Sequence, residues 1–240
     1  PSNPLLKLVD IFAIAKLAKN HQIITAADNT FASPIIQNPI DLGIDIVIHS
    51  ATKYFGGHSD ISAGAVASSQ EIMDKIWDLA KDFGGNLSDY TVWLLERSMK
   101  TLGIRVKAQQ RNAKRLAKYL EKHAAIKTVY YPGLKSSEYH SLAKIQMKGY
   151  GAMLSFELKD RFDSEKFLKT LTLIKPSMSL AGVESTMLLP SKTSNSLLSE
   201  SDQAAQGITD QLIRFSVGIE TAKDLIKDIE QAISASNLKK

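Results

Sequence analysis

The segment that most restricts this chain is a buried strand running straight into a loop that carries a lysine. Ile44-Asp45-Ile46-Val47-Ile48 is apolar and β-branched, as a buried strand is. His49-Ser50-Ala51-Thr52-Lys53-Tyr54-Phe55-Gly56-Gly57-His58 follows at once. A lysine just past a buried strand, among small hydroxyl residues and ahead of a glycine pair, can lose its charge by desolvation and become a nucleophilic amine. The serine and threonine beside it can hold a phosphate. A second strand-like run, Ile23-Ile24-Thr25-Ala26-Ala27, ends in Asp28-Asn29-Thr30. Open α/β sheets gather their ligands outside the carboxyl ends of strands. An acid at one such end and a lysine at another therefore point to an α/β fold with one site.

That pair of groups suits pyridoxal phosphate (PLP), which needs a lysine for its Schiff base and an acid for its ring nitrogen. Other chemistries find less support. There is no cysteine, so disulfides and thiolate metal sites are excluded. His49 and His58 bracket the loop without the close pairing of metal ligands, and no metal is expected. The net charge of +5 is spread along the chain, and no basic block alternates with aromatics as a nucleic-acid groove would require. No apolar run is long enough for a bilayer and no signal pattern opens the chain, so a cytoplasmic enzyme is expected. Asn86-Leu87-Ser88 matches a glycosylation sequon but carries no meaning without secretion.

At 240 residues the chain has room for one or two domains. Helical spacing predicts a helix over 5–19 with Leu5, Leu8, Val9, Phe12 and Ala15 on one face. Strands are expected near 23–28, 44–49 and 63–67. Helices are expected at 71–81 and, with a possible break at Gly103, over 88–123. Val129-Tyr130-Tyr131 ends at a Pro132-Gly133 turn, and the style then changes. Met153 to Leu158 alternates as a half-buried strand, Leu212 to Ile219 reads as another, and Ala222 to Ile233 as a closing amphipathic helix. Ser191 to Ser201 is Ser-rich and expected to be an active-site loop. The boundary is placed near 125, giving domains 1–125 and 126–240.

Four ordered segments carry a resemblance. Asp28-Asn29-Thr30-Phe31-Ala32-Ser33-Pro34 with His49 to Tyr54 comes first. Trp93 to Arg97 with Lys100-Thr101-Leu102 is next, then Ser179-Leu180-Ala181-Gly182-Val183-Glu184-Ser185, then Leu212 to Glu220. Together they resemble the Cys/Met-metabolism (trans-sulfuration) family of PLP enzymes: cystathionine synthases and lyases, methionine γ-lyase and homoserine-ester sulfhydrylases. The resemblance implies the later part of a fold-type-I PLP domain followed by a smaller α+β domain. It implies C–S bond making or breaking on an amino acid, of the cystathionine γ-synthase or γ-lyase type, in a homodimer or homotetramer.

Residue by residue, the resemblance makes Lys53 the Schiff-base lysine and proton shuttle, and Asp28 the partner of the ring nitrogen. Ser50 and Thr52 become phosphate donors, and Asn3 a neighbour of cofactor and substrate. Arg214 interrupts an apolar strand, and a guanidinium there needs a partner. A substrate α-carboxylate supplies a two-pronged one. Ser179 resembles the family serine near lysine and substrate carboxylate.

The sequence also departs from the family. The family's N-terminal portion, with its glycine-containing phosphate cradle, ring-stacking tyrosine and residues lent to a neighbouring subunit, has no counterpart. The chain therefore looks like the C-terminal part of a longer enzyme. Met178 stands before Ser179 where cystathionine-processing members carry glutamate, and Thr193-Ser194-Asn195 replaces a Met-Thr-His run. The exact substrate stays open, and a non-catalytic fragment is the competing reading.

Overall fold

The computed structural model describes residues 1–238, so the last two residues of the expected second domain lie outside it. Two sheets divide the chain. The first has strands β1 (Ala26–Asp28), β2 (Ile46–Ser50) and β3 (Gly64–Ser68) in the order β1-β2-β3, with β1 parallel and β3 antiparallel to β2. The second holds β4 (Ile126–Tyr130), β5 (Met153–Leu158), β6 (Lys175–Pro176), β7 (Thr186–Leu188) and β8 (Leu212–Ser216). Its order is β4-β5-β8-β7-β6, which puts β8 in the middle. The fold is α/β, as expected.

Helices follow the patterns with corrections. α1 spans Ile11–Asn20 rather than 5–19. Asp10 starts it: its side chain accepts from the Ala13 amide at 2.9 Å, satisfying a first-turn donor. The shifted start changes the buried face to Ile11, Ala15 and Ala18, and leaves Val9 and Phe12 in the open. α3 (Gln70–Phe83) follows the short α2 (Ser33–Ile36) and ends at Gly84, whose φ of 70° suits a residue without Cβ. The expected 88–123 helix is two: α4 (Asp89–Met99), capped by Ser88, and α5 (Leu102–Lys122). The break falls at Lys100-Thr101, just ahead of Gly103. α6 (His140–Gln146), α7 (Ser164–Thr170), α8 (Glu200–Gln206) and the closing α9 (Ala222–Ser236) complete the set.

β5 departs from its expected alternation: all six residues are buried. Apolar side chains of α5, α7 and α9 share one core with the strand, while the chain's first turns approach it too, where the Ser155 hydroxyl donates to the Pro4 carbonyl at 2.7 Å. The polar face that alternation promised is therefore spent on contacts within the chain. Glu157 remains buried because the Tyr130 hydroxyl and Lys127 serve its two oxygens, at 2.9 and 3.2 Å. One continuous core joins both sheets' neighbourhoods, from Leu6, Ala51, Tyr54 and Phe55 through α5 to α9. No described helix is long and apolar enough to cross a membrane.

Candidate active site

The carboxyl ends of β1 and β2 are stitched together by Thr30. Its amide donates to Asp28 Oδ1 at 2.9 Å, and its hydroxyl accepts from the Ser50 amide at 2.8 Å. The acid and the start of the lysine loop are thus held side by side. Past Ser50 the chain coils tightly. The Lys53 amide donates to the Ser50 carbonyl, Gly56 to Ala51, and Gly57 back to the Lys53 carbonyl at 2.7 Å. Ala51, Tyr54 and Phe55 are buried, so the coil is anchored on both sides of a half-buried Lys53.

Electrostatics single out the amine. Burial lowers the Lys53 pKa below that of an ordinary lysine, and the Arg214 charge nearby lowers it further. Arg214 sits in β8, between Ser155 of β5 and Leu188 of β7, and is 3% exposed. Its Nη2 donates to the Met178 carbonyl at 2.9 Å and its Nη1 to Asn3 Oδ1 at 3.4 Å. Among the described residues no carboxylate pairs with it. Burial brings its pKa down to about 10, so it is still a cation at neutral pH. Among the described residues neither of these two cations is paired with an acid, and one of them is deeply buried, an arrangement that favours an anionic partner.

The other expected residues fall into place unevenly. Asn3 reaches the site by its contact with Arg214, and Met178 brings Ser179 up beside it. Ser179 is half-buried and its carbonyl accepts from the Thr186 hydroxyl, but its own hydroxyl makes no hydrogen bond to Lys53 or Arg214. The Thr52 hydroxyl is already engaged: it accepts from the Ala63 amide at 2.9 Å and faces the Ala63 carbonyl at 3.2 Å. Among the described residues the Ser50 hydroxyl, also beside Lys53, has no such internal partner. Asp28 is exposed and opens on a hollow of ≈ 310 Å³ lined by Ile11, Gln37 and Gln146 but not by Lys53. His49, just ahead of the loop, packs its ring on Phe55 at 4.8 Å. Burial lowers the His49 pKa, and the Asp28 charge opposes that shift. Among the described residues, no three His, Cys, Asp or Glu side chains gather as a metal site would need.

The stretch from Ser191 opens as a 3-10 helix over Pro190–Lys192 and ends where Ser199 caps α8. Thr193 shares an apolar hollow of ≈ 420 Å³ with Met178, Leu168, Pro176 and Met187. The start of this loop thus lies beside Met178.

Sequence reasoning missed two groups. Thr30 stands out in the sequence only as part of a motif. Arg105, on α5, is buried, and its guanidinium donates to the carbonyls of Tyr54, Phe55 and Ser98 at 2.8, 3.1 and 2.9 Å. The only trace in the sequence is that Arg105 falls in line with Leu102, Val106 and Gln109 on the apolar face of its helix.

Comparison with known proteins sets this geometry in a family. The Cys/Met metabolism PLP-dependent enzyme family matches residues 1–234. The chain is 45% identical to a cystathionine beta-lyase of Lactococcus lactis subsp. cremoris (strain MG1363) over 234 residues, 97% of this chain and 62% of the relative. It is 43% identical to an L-methionine gamma-lyase of Fusobacterium nucleatum subsp. polymorphum, covering 97% of this chain and 60% of that one. A crystal structure of cystathionine gamma-lyase from Lactobacillus plantarum complexed with L-serine superposes with a TM-score of 0.96 at 42% identity, over 98% of this chain and 62% of that one. The chain thus spans about 62% of the length of the curated relatives it matches. With a lysine loop at a strand end, an acid on the neighbouring strand and a family match over nearly every residue, the chain belongs to the Cys/Met metabolism PLP-dependent enzymes.

Proposed function

We propose that this chain supplies the cofactor lysine, the ring-nitrogen acid and the substrate-carboxylate arginine of a cytoplasmic enzyme that makes or breaks C–S bonds of amino acids. The reading is of the cystathionine γ-synthase or lyase type. Methionine γ-lyase and homoserine-ester sulfhydrylase activities are the alternatives within it. The observation that carries the proposal is Arg214: a buried guanidinium without a carboxylate, next to a desolvated Lys53.

The residues fit PLP on their own chemistry. Lys53 offers an amine whose charge is already disfavoured, Asp28 a carboxylate, and Ser50 a hydroxyl without an internal partner. When bound, the cofactor supplies an electron sink for the pair left when the substrate loses its α-proton. Arg214 would orient the substrate by donating to its α-carboxylate from a planar two-donor fork. Asn3 and the Met178 carbonyl hold that fork in place before substrate arrives. Lys53 would take the substrate α-proton and return one further along the substrate, which a lowered pKa favours. Asp28 would hold the cofactor's ring nitrogen protonated. Thr52 contributes to phosphate binding only by turning its hydrogen away from the Ala63 carbonyl. We further take residues 1–125 and 126–240 as two domains sharing one core, in a homodimer or homotetramer.

Met178 takes the place of a glutamate, and its side chain lines an apolar hollow. The test is α-keto acid release from cystathionine, methionine and O-acetylhomoserine by the intact protein. Borohydride reduction and peptide mass mapping then locate the cofactor. A phosphopyridoxyl group on Lys53 and turnover of at least one substrate are expected. An adduct elsewhere with Lys53 clean, or no turnover of any of the three, would refute the proposal.

A further inference from the structure

We propose that Arg105 is a positioning residue for the reactive lysine: its guanidinium sets where the Lys53 amine stands by gripping the two carbonyls that follow it. The inference rests on the assignment of Lys53 as the cofactor lysine.

Four hydrogen bonds make the grip. Nη1 donates to the Tyr54 carbonyl at 2.8 Å, Nη2 to those of Phe55 and Ser98 at 3.1 and 2.9 Å, and Nε to the Thr101 hydroxyl at 3.1 Å. The residue is 5% exposed and has no acidic partner among the described residues. A buried cation held only by neutral oxygens is an expensive way to pack a helix face, since an apolar side chain would fill the space at less cost. What an apolar side chain lacks is a rigid fork that fixes several carbonyls at once. The loop is shaped around that fork. Gly57 has φ +71°, and a Cβ there would stand 1.9 Å from Arg105 Nη1. The backbone therefore crosses directly over the guanidinium.

The grip extends to the substrate side. The Gly57 carbonyl accepts from the Val183 amide at 2.9 Å. One turn along α5, Gln109 donates to the Gly182 carbonyl at 2.6 Å. Two turns along, Asn112 donates to the carbonyls of Gly218 and Glu220 at 3.1 and 2.7 Å. Positions 105, 109 and 112 share one stripe of the helix. This stripe holds three loops: the one with Lys53, the one with Ser179 and the one that leaves β8 after Arg214. Arg105 is the member that touches the lysine loop, and a displacement of ~1 Å in a reacting group costs on the order of 10²-fold in rate.

The test uses the intact protein. Arg105→Lys keeps the charge and loses the fork; Gly57→Ala keeps the arginine and pushes it aside. Three quantities are read: the rate at which PLP forms its adduct at Lys53, the circular dichroism of the bound-cofactor band, and the pH midpoint of Lys53 labelling by trinitrobenzenesulfonate without cofactor. Arg105→Lys is expected to slow adduct formation about tenfold or more, weaken the dichroic band and move the labelling midpoint, with the adduct still on Lys53. Gly57→Ala should act in the same direction, and in the Arg105→Lys background its added effect should shrink, since both act through one contact. Wild-type rates, dichroism and midpoint in folded Arg105→Lys would overturn the inference. So would a lower melting temperature with those three unchanged, which marks a brace only. If Arg105→Lys does not fold, wild-type values in Gly57→Ala overturn it instead. A wild-type adduct mapped to another lysine overturns the Lys53 assignment itself, which separates that failure from this one.

Discussion

The two sheets are built under opposite conditions. In the second, every residue of β5, β7 and β8 is buried, and α5, α7 and α9 share the core with them. In the first, β1 is exposed at both ends of its three residues and β3 buries none of its five. α3 buries no residue at all and α4 buries only Ser98, although Trp77, Leu79, Phe83, Val92 and Trp93 are large and apolar. The groups expected to do chemistry, Asp28, Ser50 and Lys53, belong to the open sheet. Arg214 belongs to the closed one. Burial is thus concentrated in one half, most of the residues proposed for the chemistry lie in the other, and α5 is the element that ties them, gripping loops of both through Arg105, Gln109 and Asn112. An exposed apolar sheet face of this kind marks a surface that another element or chain covers.

The contrast can be broken at several points. The largest effect is expected at the open sheet's chemistry. Lys53→Ala should remove the borohydride-trapped adduct and cut turnover by about 10²–10⁴-fold, the usual contribution of a positioned proton-transfer group. Its melting temperature should barely change. Mass mapping and calorimetry on one preparation check both, and a large loss of stability would mean that the lysine is part of the scaffold.

Phe156→Ala attacks the closed sheet. Phe156 is 0% exposed and meets Phe167 edge-on at 6.2 Å. Truncation should cost about 3–5 kcal/mol, as emptied aromatic sites do. Denaturant titration measures it, and a loss under about 1 kcal/mol would show that this sheet does not bear the stability.

Arg214→Lys lies where the halves meet. An ammonium cannot reproduce the fork, so substrate affinity should fall by about 1.5–3 kcal/mol, the worth of a charge-assisted contact. PLP affinity should hold. Separate titrations of substrate and PLP decide it, and a fall in PLP binding alone would assign Arg214 to the cofactor or the fold.

Asp28→Asn keeps the shape and removes the charge. Exchange of the substrate α-hydrogen, followed by NMR, should slow about tenfold or more if one charge-assisted contact is lost. Unchanged exchange would end the electron-sink role. Smallest of all should be Val66→Ala on β3, where the side chain is 38% exposed. A change within about 0.5 kcal/mol is expected. A cost approaching that of Phe156→Ala would mean the open sheet is covered in solution and the contrast between halves is false.

Much of this architecture was legible residue by residue. The strand at 44–49, the amphipathic helix after it and the closing helix announce themselves by local periodicity, which depends on neighbours in the chain. β5 was legible as a strand but not as a fully buried one. Alternation records what a single strand offers, while burial depends on what packs against both its faces. α1 was misplaced by six residues at its start because an Asp10 cap outweighs a stretch of suitable spacing ahead of it. α6, α7 and α8 went unnoticed, being seven residues each and too short to show a period.

The site divides in the same way. By itself the sequence determined that a lysine follows a buried strand, that an acid ends its neighbour and that an arginine interrupts an apolar run, because each is a local clash of residue type with pattern. Only the tertiary structure decided that Arg214 and Lys53 feel each other, that Thr52 spends its hydroxyl on Ala63 and that Arg105 holds the lysine loop from 50 residues away. Those facts rest on distances between segments remote in the chain. A guanidinium's partner is chosen by whichever carbonyls the packing brings within about 3 Å, and no spacing in the sequence encodes that.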